Sequence, residues 1–201
     1  MGGKLFFSWF LSRAALFLAI LVILKVVFLI YNAEAFPGLS FLIGLKAVVY
    51  GLRFDLSALA MIMALVVAVG AVLLLLNRPP SELKYLDWLL VSVSLPIWML
   101  MLADMVYFPF SQSHLTAEVH AFTFDLGHLA ITYLLTYWYW FVGLAAIVTL
   151  VLKALKRLRR PKNKTSAEPI WKRLSWVIAV IFITIIALRG GLSNKPISPI
   201  Q

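Results

Sequence analysis

Five long apolar stretches dominate this sequence, each close to the length of helix that crosses a lipid bilayer. A helix takes about 20 residues to cross the hydrocarbon core of a bilayer. Because 63% of the residues are hydrophobic, more than the core of a water-soluble domain could hide, we predict an all-α polytopic membrane protein. Its five predicted transmembrane helices lie at about residues 10–31, 56–76, 88–108, 129–152 and 174–188.

A further helical segment precedes the second span. In residues 41–54 apolar side chains recur at helical spacing, while Lys46, Tyr50 and Arg53 lie on the opposite side. Such a pattern is typical of a helix that lies in the membrane interface. We therefore expect an outer interfacial helix here, followed by a turn of the chain into the second span at Leu56.

The distribution of basic residues predicts the orientation in the membrane. Residues 153–173 contain nine Lys and Arg side chains and a single acidic one, Glu168. Loops rich in Lys and Arg stay in the cytoplasm. We therefore expect the N-terminus inside and the C-terminus outside. The same basic loop leaves open a plain alternative, a membrane anchor that recruits partners through its charge.

Charge and cysteine content exclude several functions. The formal net charge is +10, but the basic residues flank apolar spans, so anionic lipid headgroups and not nucleic acid are the expected partners. Without cysteine the chain has no disulfide, thiolate metal site or thiol nucleophile. His114, His120, His128 and Glu118 match no metal-ligand spacing, and we interpret them as solvated or interfacial loop residues. No phosphate-binding glycine loop or zinc-protease motif is present.

Three short motifs lie near the predicted outer ends of the spans. Residues 51–57 (GLRFDLS) open the second span, and Asp104-x-x-Tyr107-Phe108 ends the third. The fifth span ends in residues 188–191 (LRGG), which a Lys-Pro pair follows at residues 195–196. In this order and at this membrane depth, the motifs resemble those of the lipoteichoic acid synthase family of bacterial membrane sulfatase-like enzymes.

This resemblance implies a membrane domain, residues 1–189, that anchors a large extracytoplasmic catalytic domain in the bacterial cytoplasmic membrane. In such families that domain uses a threonine nucleophile and a divalent metal, commonly manganese. It moves phosphoglycerol from phosphatidylglycerol to a polymer or glycan. We expect residues 190–201 to begin the linker to it, and this chain alone to be catalytically silent. A phosphoethanolamine transferase is an alternative, because donor choice would be set mainly outside these residues.

Basic residues at the outer membrane border are candidate lipid ligands. Lys46, Arg53 and Arg189 could receive the phosphate of an anionic phospholipid, since a guanidinium offers paired donors to phosphate oxygens. The alternative, which we favour on the sequence alone, is that they are interface anchors and partners of acidic residues.

Three ionisable residues inside the spans are candidates for ion pairs. Ionisable groups in a membrane are costly unless they are paired or hydrated, so we expect Asp55 or Asp104 to pair with Arg53. For Lys25 we expect extension towards the interface in preference to a pair with an acid of another span. A small transporter or channel would instead use Lys25, Asp55 and Asp104 as a polar pathway. The position of these polar residues near the outer border argues against that function.

Overall fold

The computed structural model describes residues 2–36, 38, 40–111, 135–158 and 168–189. Within these ranges the chain has no strand, and five helices are long and apolar enough to cross a membrane. This confirms the predicted all-α fold of five spans. The helices are α1 (Gly3–Tyr31), α2 (Phe41–Leu75), α3 (Leu83–Ser111), α4 (Trp138–Leu158) and α5 (Ile170–Leu188), with short 3₁₀ turns at Ala33–Ala35 and Pro80–Glu82.

Successive helices run in opposite directions, and we call the end of the bundle where α1 begins the Gly3 end. There the backbone N–H of Gly3 donates to the Glu168 carboxylate at 2.7 Å, which joins the starts of α1 and α5. Nη1 of Arg173 donates to the carbonyl oxygens of Leu74 and Leu75, both at 3.2 Å. These carbonyls lie in the last turn of α2, whose carbonyls have no partner within the helix. The Leu74 carbonyl also accepts from the backbone N–H of Asn77 at 3.1 Å.

Aromatic contacts close the opposite end of the bundle, which we call the Tyr31 end. The ring of Tyr31 lies 5.2 Å from that of Trp140, so the end of α1 meets the start of α4. The rings of Phe28 and Phe108 are 5.1 Å apart and join α1 to the end of α3. Both pairs meet edge to face, a favourable geometry for aromatic rings.

The buried core lies mainly between α1, α2 and α3. Phe17 and Trp98 stack with their ring centres 5.5 Å apart, and both are buried. On α2, Gly70 faces the ring of Phe6, and a side chain at this position would overlap that ring. Small residues let membrane helices approach closely, so Gly70 sets how near α1 and α2 can pack.

Helix α2 corrects one expectation from the sequence. The predicted interfacial helix and the second span form one continuous helix of 35 residues, so the expected turn at Leu56 is wrong. The physical reason is that no proline interrupts residues 41–75, while the Ser40 side chain caps the start by accepting from the N–H of Ile43 at 3.3 Å. At its ordinary rise the helix is about 52 Å long. None of residues 41–54 is buried, so these turns extend beyond the packed core.

Candidate functional site at the Tyr31 end

A hydrogen bond between α2 and α5 lies at the Tyr31 end of the bundle. The Ser57 hydroxyl donates to the carbonyl oxygen of Leu188 at 2.8 Å. Because Leu188 is the last residue of α5, its carbonyl has no donor further along that helix. The contact brings two of the three sequence motifs together, the one at residues 51–57 and the one that begins at Leu188.

Two of the candidate lipid ligands lie on the same face of α2 as Ser57. Residues three, four and seven positions apart share one side of an α-helix, so Lys46, Tyr50, Arg53 and Ser57 form a single row, which we call the Arg53 stripe. Lys46, Tyr50 and Arg53 are exposed. Ser57 contacts Leu188, the residue before Arg189. The exposed Arg189 therefore lies beside the end of the stripe that Ser57 forms. The structure therefore brings Arg53 and Arg189 near Ser57, whereas Lys46 lies about 16 Å from Ser57 along α2.

The chemistry of this region suits a phosphodiester. A phosphodiester carries a single negative charge and two terminal oxygens, and a guanidinium can contact such oxygens through two parallel N–H donors. An arginine stays charged at any physiological pH, whereas a lysine supplies a more mobile point charge. The guanidinium groups of Arg53 and Arg189, with the more distant ammonium of Lys46, can therefore attract and orient an anionic headgroup.

The opposite side of α2 carries an ion pair with α1. Nζ of Lys25 lies 2.6 Å from a carboxylate oxygen of Asp55, and the two side chains are 23% and 11% exposed. Gly51, one turn before Asp55, leaves room for this contact, because a Cβ at Gly51 would overlap the Lys25 ammonium.

This pair corrects two expectations from the sequence. Lys25 does not extend alone to the interface, and the partner of Asp55 is not Arg53. The physical reason is helical geometry, since two residues at positions i and i+2 point about 200° apart around the helix axis. Asp55 consequently faces the bundle while Arg53 faces outwards.

Asp104 lies on α3 and is half-buried. One turn later the ring of Phe108 lies 5.1 Å from that of Phe28 and 5.3 Å from that of Phe36. The motif that contains Asp104, Tyr107 and Phe108 therefore also lies at the Tyr31 end. A pair between Asp104 and Arg53 stays a prediction.

The most deeply buried polar cluster was not predicted as a unit from the sequence. The carboxylate of Asp87 accepts from Nε of Arg13 at 3.0 Å, from Nη2 at 3.4 Å and from the Trp9 indole at 2.9 Å. The Arg13 and Asp87 side chains are only 3% and 2% exposed. The sequence did contain a signal for this cluster. Trp9 and Arg13 are four residues apart and share one face of α1, and Asp87 lies near the start of the third span, at a similar distance from the Gly3 end. A cation and an acid at one level of two spans indicate an ion pair.

Among the described residues, no group of three His, Cys, Asp or Glu side chains is arranged to hold a metal ion. The three histidines and Glu118 of the sequence analysis lie outside these residues, as does the start of the fourth predicted span.

Comparisons with protein-family models, with curated proteins and with solved structures found no match. The resemblance to the lipoteichoic acid synthase family therefore depends on the three motifs of this sequence.

Proposed function

We propose that this chain is the membrane domain of a bacterial sulfatase-like phosphoglycerol transferase. It anchors an extracytoplasmic catalytic domain and presents an anionic phospholipid of the phosphatidylglycerol type to that domain at the outer leaflet. The hydrogen bond between Ser57 and Leu188 is the observation that carries this proposal. It places Arg189 beside the Arg53 stripe and joins two of the motifs on which the resemblance depends.

The depth of the Arg53 stripe supports a role in headgroup binding. From Asp55 to the end of α2 at Leu75 the helix is about 30 Å long, which equals the usual thickness of the hydrocarbon core. If this part of α2 crosses the core, Arg53 lies just outside it, among the headgroups. Arg189 follows the end of α5 at the same border. Both guanidinium groups would then meet lipid phosphates without entering the hydrocarbon.

The charge distribution between the two ends supports the proposed orientation. Basic residues are more numerous at the Gly3 end, which favours its placement in the cytoplasm. Those at the Tyr31 end are Lys25, Lys46, Arg53 and Arg189. Those near the Gly3 end, within the described ranges, are Lys4, Arg13, Arg78, Lys84, Lys153, Lys156, Arg157, Lys172 and Arg173.

The arrangement of the ion pairs favours an anchor over the transporter alternative. Along α1, Arg13 and Lys25 are separated by about 18 Å of helix. The stacked rings of Phe17 and Trp98 occupy the core between these levels. A pathway for ions or polar substrates requires polar groups across the bilayer midplane, and an apolar ring pair there opposes it.

Transfer assays on the full-length protein, as its natural gene encodes it, test this proposal. In phosphatidylglycerol liposomes, an acceptor hydroxyl displaces diacylglycerol from the phosphorus atom, so each transfer releases one diacylglycerol. We expect Arg53→Ala and Arg189→Ala each to lower the rate of release about tenfold, because each removes a charge-assisted contact to phosphate. Lys84→Ala is the matched control, since Lys84 is an exposed cation at the Gly3 end.

Other outcomes contradict the proposal in different ways. If well-folded Arg53→Ala and Arg189→Ala variants release diacylglycerol at the unchanged rate, the Arg53 stripe does not bind the donor lipid. Faster release from phosphatidylethanolamine than from phosphatidylglycerol would establish the phosphoethanolamine alternative, and release from neither lipid would overturn the transferase.

Orientation is checked in the cysteine-free chain with an impermeant thiol reagent, which should label Glu34→Cys from outside and leave Ser81→Cys unlabelled.

A further inference from the structure

The start of α2 extends past the end of its neighbour α5, and we call this part, residues 41–54, the projecting segment. Arg173 bonds to the carbonyl of Leu74, and Ser57 bonds to that of Leu188, the last residue of α5. Helix α5 therefore runs beside the later part of α2 and ends at the level of Ser57. No residue of the projecting segment is buried.

One side of the projecting segment is an exposed apolar face. Phe41, Leu42, Leu45 and Val49 lie within about 100° of one another around the helix axis. Their exposed fractions are 84%, 67%, 49% and 54%. Lys46 is also exposed and borders this face, since it lies three or four positions from Leu42 and Val49. A large exposed apolar patch with a polar rim is typical of an interaction surface.

Lipid does not reach most of this apolar face. With Asp55–Leu75 across the hydrocarbon core, Leu45 lies about 15 Å and Phe41 about 21 Å outside the core. The headgroup layer on each side of a bilayer is only about 5–8 Å thick. A helix tilt of about 20° shortens both distances by only about 6%. These side chains therefore lie beyond the headgroups, where only another protein surface can cover them.

The course of the chain indicates which protein surface is available. Residues after α5 leave the bundle beside Ser57, next to the projecting segment. Under the proposed function, those residues lead to the extracytoplasmic catalytic domain. A domain held by a short tether has a high effective concentration at a nearby surface, so a modest apolar contact is enough to dock it. The charge of Lys46 favours a partner surface with an acidic rim.

We propose that the apolar face of the projecting segment is the docking surface of the catalytic domain. The contacting surface of that domain has an apolar centre, which covers Leu45 and Val49, and an acidic side chain that meets Lys46. Docking holds the catalytic domain at a fixed height above the Arg53 stripe. The inference rests on the proposed function, and it adds a fixed contact where that function requires only a tether.

Photo-cross-linking of the full-length protein in phosphatidylglycerol liposomes tests the contact directly. We expect p-benzoylphenylalanine in place of Leu45 to form cross-links to peptides that follow Gln201 in the same chain, identified by mass spectrometry. Met61 is the matched control position, because it lies on the same helix and is 68% exposed. It is about 9 Å inside the core from Asp55, so we expect cross-links from this position to lipid alone.

A pair of charged variants of the full-length protein tests the apolar character of the contact. Leu45→Glu places a charge in the proposed interface, and Ala47→Glu adds the same charge to an exposed position about 200° around the helix. We expect backbone amides of residues 41–50 to exchange hydrogen about tenfold faster in Leu45→Glu than in Ala47→Glu. Diacylglycerol release should fall several-fold in Leu45→Glu alone, because the undocked domain is no longer held above the lipid.

The results separate the docking surface from the transferase. Cross-links from position 45 to lipid, or to a second copy of the chain, would overturn the docking surface even in a protein that transfers phosphoglycerol. Equal hydrogen exchange in the two glutamate variants would overturn it as well. Cross-links to the extracytoplasmic domain without release from either lipid would support docking and overturn the transferase.

Discussion

Two ion pairs connect α1 to its neighbours, and they differ in how far water can reach them. The pair of Arg13 with Asp87 joins α1 to α3 near the Gly3 end and is almost fully buried. The pair of Lys25 with Asp55 joins α1 to α2 near the Tyr31 end and is partly exposed. Asp87 also accepts a hydrogen bond from the Trp9 indole, so several donors hold its carboxylate.

This difference separates a structural pair from an exchangeable one. Arg13 presents a planar guanidinium in a fixed orientation, and its burial makes any loss of the counterion costly. Lys25 carries a compact charge on a flexible stem, only six residues before the end of α1, so its ammonium can reach the interface when Asp55 is lost. Both pairs join a positive to a negative side chain, so charge alone does not distinguish them. Burial and side-chain stiffness make the Arg13 pair structural and the Lys25 pair exchangeable.

The largest predicted effect is that of Asp87→Asn. It leaves the buried Arg13 guanidinium without a counterion, and we expect the free energy of unfolding to fall by about 3–5 kcal/mol. The measurement is loss of helical circular dichroism as the protein in mixed micelles is titrated with sodium dodecyl sulfate.

The control replaces both charged residues. Arg13→Met with Asp87→Met should recover most of the lost stability, because no buried charge remains without a partner. A double variant as unstable as Asp87→Asn would show that the pair itself, and not the cost of an unpaired charge, stabilises the fold.

A smaller effect is predicted for Asp55→Asn. The Lys25 ammonium can then extend to the interface, so we expect a loss of about 1 kcal/mol, typical of a partly hydrated pair. The same unfolding titration measures it. A loss as large as that of Asp87→Asn would contradict the proposed difference between the two pairs.

The smallest predicted effect compares two glycines of α2. Alanine in place of glycine in a helix contributes up to about 1 kcal/mol, and Gly44→Ala should gain this because nothing lies within 4 Å of the added carbon. Gly51→Ala should show no such gain, since its methyl group displaces the Lys25 ammonium from Asp55. Equal gains in the unfolding titration would mean that Gly51 has no part in the pair.

The sequence predicted the spans better than the relations between them. Apolar length alone located the five helices, but the pattern of residues 41–54 suggested a separate helix where α2 continues. That pattern describes which side chains share a face, and it carries no information about a bend unless a proline or another helix-stopping residue is present. The motif at residues 51–57 included Asp55 and Gly51 but did not reveal their common contact with Lys25.

By itself the sequence determined that this protein has five apolar helices. Backbone polar groups in lipid must find their hydrogen-bond partners within each segment, and a long apolar run meets that demand only as a helix. Only the tertiary structure decided which charges meet. The pairing of Lys25 with Asp55, the buried cluster around Asp87 and the approach of Arg189 to the Arg53 stripe depend on how each helix is rotated and which neighbour it packs against. Those choices arise from contacts between residues far apart in the chain, which local periodicity does not specify.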